Sequence, residues 1–137
     1  MINGTIAGKF SNLERVLQEL RSLGKLEEAS LANDWMKLRA VERNLQIAVE
    51  ILVDVCHRVL AGTGQAPATN SRDALERCQS LGALQSAAKY RPLIGFRNLL
   101  VHRYEFVDTA ILVDIINNHL SDLDEFRKEI ETYAASH

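Results

Sequence analysis

The chain has 137 residues, of which 47% are hydrophobic and 25% are charged, close to the composition of an ordinary globular domain. With only 7 Gly and 2 Pro, the composition favours an all-α fold, and the length favours a single domain over residues 1–137. The formal net charge of -2 argues against a protein that holds duplex DNA by many phosphate contacts. This charge does not exclude RNA as a transient substrate, but any cationic surface must be local.

Three features that the sequence lacks bear on its cellular location. Cys56 and Cys78 have no C-x-x-C spacing, and we interpret them as reduced thiols rather than a structural disulfide. No stretch reaches the roughly 18 apolar residues that a membrane-spanning helix needs. The first four residues lack the basic-then-apolar layout of a secretion signal. We therefore expect a cytoplasmic protein.

Hydrophobic periodicity predicts two helices in the first half of the chain. The first is expected over residues 6–23 and ends at Gly24, which suits a C-terminal cap. A polar connector over residues 25–30 then leads to a much longer helix over residues 31–60. The Gly-rich segment over residues 61–67 ends that helix.

A short third helix is predicted over residues 72–80, with Asn70 or Ser71 available as its N-cap. The fourth helix is predicted over residues 84–102, with a kink or a start near Pro92, because proline removes one hydrogen bond and clashes with the preceding turn.

Asp108 and Thr109 are typical of the N-cap and first turn of a last helix, which is expected to reach Tyr133. The sequence shows no internal repeat. The predicted architecture is an all-α, up-and-down bundle of about five helices.

The predicted long helix carries one band of polar residues on an otherwise apolar surface. At about 100° per residue, the band spans roughly 80°. Such a band is either the only solvent-exposed edge of the helix or the lining of a cleft. The pattern alone favours the solvent edge, because most charged stripes on helices face solvent. The members of the band are Arg39, Arg43, Gln46, Glu50, Asp54 and His57.

The strongest functional signal lies in residues 95–108. Arg97 falls inside the apolar arc of its predicted helix, and a charge is seldom buried there unless it is paired or functional. Asn98 and His102 share a different, narrow face. Arg97 and His102 are about 140° apart around an ideal helix. They can meet at one phosphate if the helix loosens near His102 or if a second copy of the chain contributes to the same cleft.

Each of these residues also has a purely structural interpretation. A histidine at a helix end usually caps exposed carbonyls, and an arginine in an apolar arc usually extends to solvent or pairs with a carboxylate. Tyr104 is ordinarily a boundary aromatic with its hydroxyl in water. Spacing alone therefore makes the R-x4-H-x-Y pattern suggestive and no more.

The segment Gly95-Phe96-Arg97-Asn98, followed by His102-x-Tyr104, resembles the R-x4-H-x-Y signature of the HepT-like toxins of the HEPN superfamily. The resemblance extends upstream through residues 43–57 and downstream to residues 122–126, so that it covers roughly residues 31–130. Pro92 departs from the family's pattern and lies in the predicted helix that carries the signature.

The resemblance implies a homodimer whose two signatures line one cleft, and metal-independent cleavage of RNA without a cofactor. In this chemistry the 2′-hydroxyl of the RNA attacks the adjacent phosphorus, His102 serves as general acid or base, and Arg97 holds the phosphate. Asn98 is expected to orient His102 or to bind a phosphate oxygen, with Asp54 and Arg43 as supporting residues.

The resemblance also implies a partner, a minimal nucleotidyltransferase antitoxin that transfers AMP units from ATP to Tyr104 and so blocks the cleft. The antitoxin, rather than this chain, needs ATP and magnesium. Because the four histidines are dispersed and no H-E-x-x-H motif is present, no metal site is expected here. Two alternatives stay open: a non-catalytic HEPN module that binds a nucleotide or a partner, and a structural dimerisation bundle.

Overall fold

A computed structural model of the chain describes residues 4–102 and 108–137, and the side chains of these residues except those of 100–102. This part of the chain is helical, in agreement with the predicted all-α bundle, but it has seven α-helices rather than about five. No helix in it is long and apolar enough to span a membrane. The helices are α1 (Gly4–Arg21), α2 (Glu28–Ala32), α3 (Trp35–Gly62), α4 (Ser71–Ser80), α5 (Arg91–His102), α6 (Thr109–Asn118) and α7 (Leu120–Ala135), with a 3-10 turn over Ala87–Tyr90 before α5.

Helix α3 is the central element of the bundle and contacts α1, α2, α4, α5 and α7. Its apolar residues Val41, Leu45, Leu52 and Val55 are fully buried. In the same core, Phe126 of α7 packs edge to face against the rings of Phe10 and Tyr90, a geometry that aromatic pairs prefer. The candidate site lies where the second half of α3 faces the start of α4 and the middle of α5.

The long helix predicted from residue 31 is interrupted, and α3 begins only at Trp35. Asp34 causes the new start, because its Oδ1 accepts a hydrogen bond from the backbone N–H of Lys37 at 3.1 Å and caps the helix. Leu31 belongs instead to the short helix α2. At the start of α3, the side chain of Trp35 is largely exposed although it is apolar.

The helix predicted over residues 84–102, with a kink or a start near Pro92, begins only at Arg91, so the start near Pro92 is confirmed and the earlier bound is wrong. Residues 87–90 form a 3-10 turn, and Pro92 lies in the first turn of α5, where no intrahelical N–H donor is needed. Tyr90 fixes the junction, because it is fully buried and its hydroxyl donates to Oε2 of Glu129 at 2.5 Å.

The last predicted helix is divided in two at His119. The side-chain amide of Asn117 accepts from the backbone N–H of Leu26 and donates to its carbonyl, each at 3.0 Å, which ties this end of α6 to the segment before α2. The predicted N-caps are confirmed: Asp108 accepts from the N–H of Ala110, and Asn70 caps α4.

Candidate functional site

A cleft of about 490 Å³ lies between the second half of α3, the N-terminal end of α4 and the middle of α5. Its walls combine cationic, hydroxyl and amide groups, a donor-rich set that suits an anionic ligand. Its lining residues are Val53, His57, Ala68, Thr69, Asn70, Ser71, Arg72, Arg97 and Asn98.

Arg97 reaches this cleft from α5 with only 28% of its side chain exposed. Its Nε donates to Oε1 of Glu50 on α3 at 2.8 Å, and its Nη1 donates to Oγ of Ser71 on α4 at 2.9 Å. Arg97, the charged residue in the apolar arc of α5, is therefore paired, as charged side chains with little exposure usually are. Three helices meet at this one guanidinium.

The hydroxyl of Ser71 can accept from Arg97 because another residue caps α4. Oδ1 of Asn70 accepts from the backbone N–H of Asp73 at 2.8 Å, and Oδ2 of Asp73 accepts from the backbone N–H of Thr69 at 3.0 Å. The arrangement is similar to a capping box, except that Asp73 accepts from Thr69, the residue before the N-cap, rather than from Asn70 itself. The backbone hydrogen bond from Thr69 holds the pKa of Asp73 below its ordinary value. Ser71 is 8% exposed and is the only buried polar residue in the described part of the chain.

Some residues of the polar band of α3 face the cleft, and others face α1. Glu50 contacts Arg97, and His57 lines the cleft. Asp54 instead pairs with Lys9 of α1 at 2.9 Å and with Arg58 at 2.8 Å. Burial alone would raise the pKa of Asp54, but hydrogen bonds from Arg58 and Lys9 and their charges outweigh it and hold the pKa below its ordinary value.

Of the three residues predicted to support the site, Asp54 and Arg43 do not line the cleft of this single chain. Asp54 makes the contacts just described, and Arg43 donates to Oε1 of Gln46 at 3.3 Å. Their supporting role stays a prediction. Asn98, by contrast, lines the cleft beside Arg97.

His102 is the last residue of α5, and its side chain is outside the described part of the structure, as is all of Tyr104. The proposed pairing of Arg97 with His102 and the modification of Tyr104 therefore stay predictions. Apart from its chain neighbours and the backbone of its own helix, no described atom lies within 4 Å of a Cβ built at Gly95, so the space beside Gly95 on α5 is open.

Sequence reasoning named Arg97 and Asn98 but missed the two groups that hold Arg97. Glu50 was part of the polar band, and Ser71 was considered only as a helix cap. Their contacts with Arg97 join residues 47 and 26 positions apart, which no local pattern shows.

Comparisons with known proteins identify the family to which the chain belongs. The profile of the family described as Ribonuclease HepT-like matches residues 13–130. The mRNA nuclease HepT of Shewanella oneidensis is 22% identical over 127 residues, which span 91% of this chain and 95% of that protein.

Two solved structures share the fold. A tri-AMPylated Shewanella oneidensis HEPN toxin in complex with MNT antitoxin superposes with a TM-score of 0.85 at 20% identity, over 96% of this chain and 99% of that one. YutE of Bacillus subtilis, a cytosolic protein of unknown function, has a TM-score of 0.83 at 18% identity, over 96% and 90% of the two chains. The fold and the family profile lead to one conclusion: the chain belongs to the ribonuclease HepT-like family.

Proposed function

We propose that this protein is an RNA-cleaving toxin, a single HEPN-type domain over residues 1–137, with Arg97 and His102 as its catalytic pair. One observation carries the proposal: α5 delivers the Arg97 guanidinium into a cleft whose wall also holds His57 and Asn98. That arrangement supplies a fixed cation together with titratable and amide groups, which are the groups that phosphodiester cleavage without a metal requires.

Arg97 is suited to hold the scissile phosphate. A guanidinium has five N–H donors, and the contacts with Glu50 and Ser71 use two of them. The remaining donors lie on Nη1 and Nη2, the end of the group that binds phosphate by two parallel hydrogen bonds. Arg72 also lines the cleft, where its Nε pairs with Glu76 at 3.1 Å, and the N-terminal end of α4 adds the positive potential of a helix start. These groups are the local cationic contribution that a chain with a net charge of -2 needs in order to bind RNA.

In the proposed reaction, the 2′-oxygen of the RNA bonds to the adjacent phosphorus as its proton passes to a general base. The bond from phosphorus to the 5′-oxygen breaks, and that oxygen takes a proton from a general acid. The products are a 2′,3′-cyclic phosphate and a 5′-hydroxyl. His102 performs one proton transfer, and His57 on the cleft wall is the candidate for the other. The reaction needs no divalent metal, and among the described residues no cluster of three or more His, Cys, Asp or Glu side chains is placed to hold one.

We further propose that a minimal nucleotidyltransferase antitoxin neutralises the protein by transferring AMP to Tyr104. Support comes from the solved complex of a tri-AMPylated HEPN toxin with MNT antitoxin, which has the same fold. Tyr104 follows the end of α5 by two residues, close along the chain to the cleft. Each AMP adds a negatively charged phosphodiester, which competes with RNA phosphate for Arg97. The site of action is expected to be the cytoplasm, where RNA and ATP are available.

The test is incubation of the purified protein with total RNA, with the ends of the fragments identified. We expect fragments that end in 2′,3′-cyclic phosphate, and none from an Arg97→Ala preparation made in parallel. Absence of cleavage by the wild-type protein, together with saturable binding of AMP or ATP, would instead favour a non-catalytic nucleotide-binding module.

A further inference from the structure

We infer that Glu50 and Ser71 are positioning residues that fix the plane and direction of the Arg97 guanidinium for phosphate binding. The inference rests on the proposed function for its catalytic consequence. Its structural basis is the pair of contacts at 2.8 Å and 2.9 Å that Arg97 makes with two different helices.

Two contacts define the orientation of a guanidinium better than one. All five N–H donors of arginine lie in one plane, so a single hydrogen bond leaves the group free to swing about that bond. The acceptors of Glu50 and Ser71 engage Nε and Nη1, and they come from α3 and α4. With both in place, the direction of the remaining donors on Nη1 and Nη2 is set by the packing of three helices.

The two acceptors differ in surroundings and therefore in what they contribute. Ser71 is buried and lies in the first turn of α4, so its hydroxyl is a rigid part of the cleft wall. Glu50 keeps 46% of its side chain exposed and brings a negative charge next to the phosphate-binding cation. Exposed ion pairs contribute little to folding. Glu50 therefore acts on the orientation and field of Arg97 more than on the stability of the bundle.

Orientation of this kind affects the chemical step. A cation that must hold charge developing on phosphate oxygens is effective only when its donors already point at those oxygens. We expect Glu50→Ala and Ser71→Ala each to lower kcat for RNA cleavage by about 10- to 100-fold, with a smaller change in KM. Glu50→Gln keeps an acceptor oxygen and should recover most of kcat. Because its negative charge is gone, it should also lower KM for the anionic RNA.

The experiment measures these variants by two independent readouts. The first is the steady-state cleavage of a labelled RNA, from which kcat and KM are separated. The second is the ¹⁵N-edited NMR signal of the Arg97 Nε–H, assigned by its absence in Arg97→Ala. We expect slow solvent exchange of this proton in the wild type and in Glu50→Gln, and fast exchange in Glu50→Ala.

Matched controls are available elsewhere in the chain. Glu131 accepts from Nε of Arg127 at 2.6 Å and also has 46% of its side chain exposed, so Glu131→Ala breaks an equivalent pair far from the cleft. Ser80→Ala removes a hydroxyl at the other end of α4. Both controls should keep wild-type kcat and the Arg97 signal.

The outcomes separate the two proposals. If the wild type cleaves RNA while Glu50→Ala and Ser71→Ala keep full kcat, the positioning inference is wrong and the proposed function stands. If the wild type cleaves no RNA although the Arg97 Nε–H is protected through Glu50, the proposed function fails and only the structural contact remains. A loss of kcat in step with a loss of folded helix in both alanine variants would also overturn the inference.

Discussion

Arg97 of α5 donates a hydrogen bond from Nη1 to Oγ of Ser71, the first residue of α4, at 2.9 Å. Because the Ser71 residue is 8% exposed, this contact places the cation against the inner wall of the cleft rather than at its solvent edge. Glu50 pairs with the same guanidinium and offsets part of its charge, while the donors left on Nη1 and Nη2 can still bind a ligand inside the cleft.

Replacing Arg97 or His102 by Ala should lower the rate of RNA cleavage by about two to four orders of magnitude, the usual loss for a general acid or an electrostatic contact to the reacting group. Circular dichroism should show an unchanged helical fold. His119→Ala is the control, because its ring contacts Asp114 and Asp122, away from the cleft. Wild-type activity in either purified active-site variant would remove that residue from the mechanism.

Cleavage should persist in EDTA at the wild-type rate. The proposed chemistry uses the 2′-hydroxyl as nucleophile and Arg97 as the charge-stabilising group, so a divalent ion has no step to perform. The measurement compares initial rates in EDTA, in magnesium and in manganese. Activity that vanishes in EDTA and returns only with a metal contradicts this mechanism.

The rate of cleavage should have a bell-shaped pH dependence, because one group must be unprotonated and another protonated in the active form. If His57 provides one of the two transfers, His57→Ala should remove one limb of the profile and lower the maximum rate by about 10²-fold or more. His137→Ala, at the exposed C-terminal end, should leave both limbs in place. Two unchanged limbs in His57→Ala would assign the second transfer to a different group.

The protein should form a symmetric homodimer that lines one groove with both copies of residues 97–104. The motivation is the separation of about 140° between Arg97 and His102 on an ideal helix. Light scattering at micromolar concentration should give twice the chain mass. If the two residues act from different copies, mixing inactive Arg97→Ala with inactive His102→Ala should restore cleavage. A monomer, or an inactive mixture of variants shown to exchange subunits, argues against a shared groove.

Co-expression with the nucleotidyltransferase partner should add mass in multiples of one AMP unit, located on Tyr104. Tyr104→Phe should stay unmodified and remain toxic. The other tyrosines are controls of different kinds: Tyr90 is fully buried and donates its hydroxyl to Glu129, whereas Tyr133 is partly exposed. Burial and the neighbouring Glu129 raise the pKa of Tyr90, which further disfavours it as a nucleophile. Modification mapped to Tyr133 would contradict the assignment.

Local chemistry was enough to predict the helical class and several boundaries. Gly24 has a φ of 69°, as a left-handed helix cap requires, and Asn70, Asp108 and Pro92 start helices where the sequence indicated. Each of these signals depends on backbone groups within a few residues. The break at His119 was not predicted because Asn117 is held there by the backbone of Leu26, 91 residues earlier in the chain.

For the candidate site, the sequence by itself determined that Arg97 is a charge in an apolar arc, and that such a charge needs a partner or a function. It also determined the polar band of α3, since helical periodicity is a local property. Only the tertiary structure decided which members of the band reach the cleft. Asp54 lies on the side of α3 that packs against α1 and pairs with Lys9, whereas Glu50 meets Arg97 across 47 positions of sequence. The band is too narrow for helical periodicity to distinguish residues that face the cleft from residues that face α1. The packing of α1, α4 and α5 around α3 decides which residues face each side.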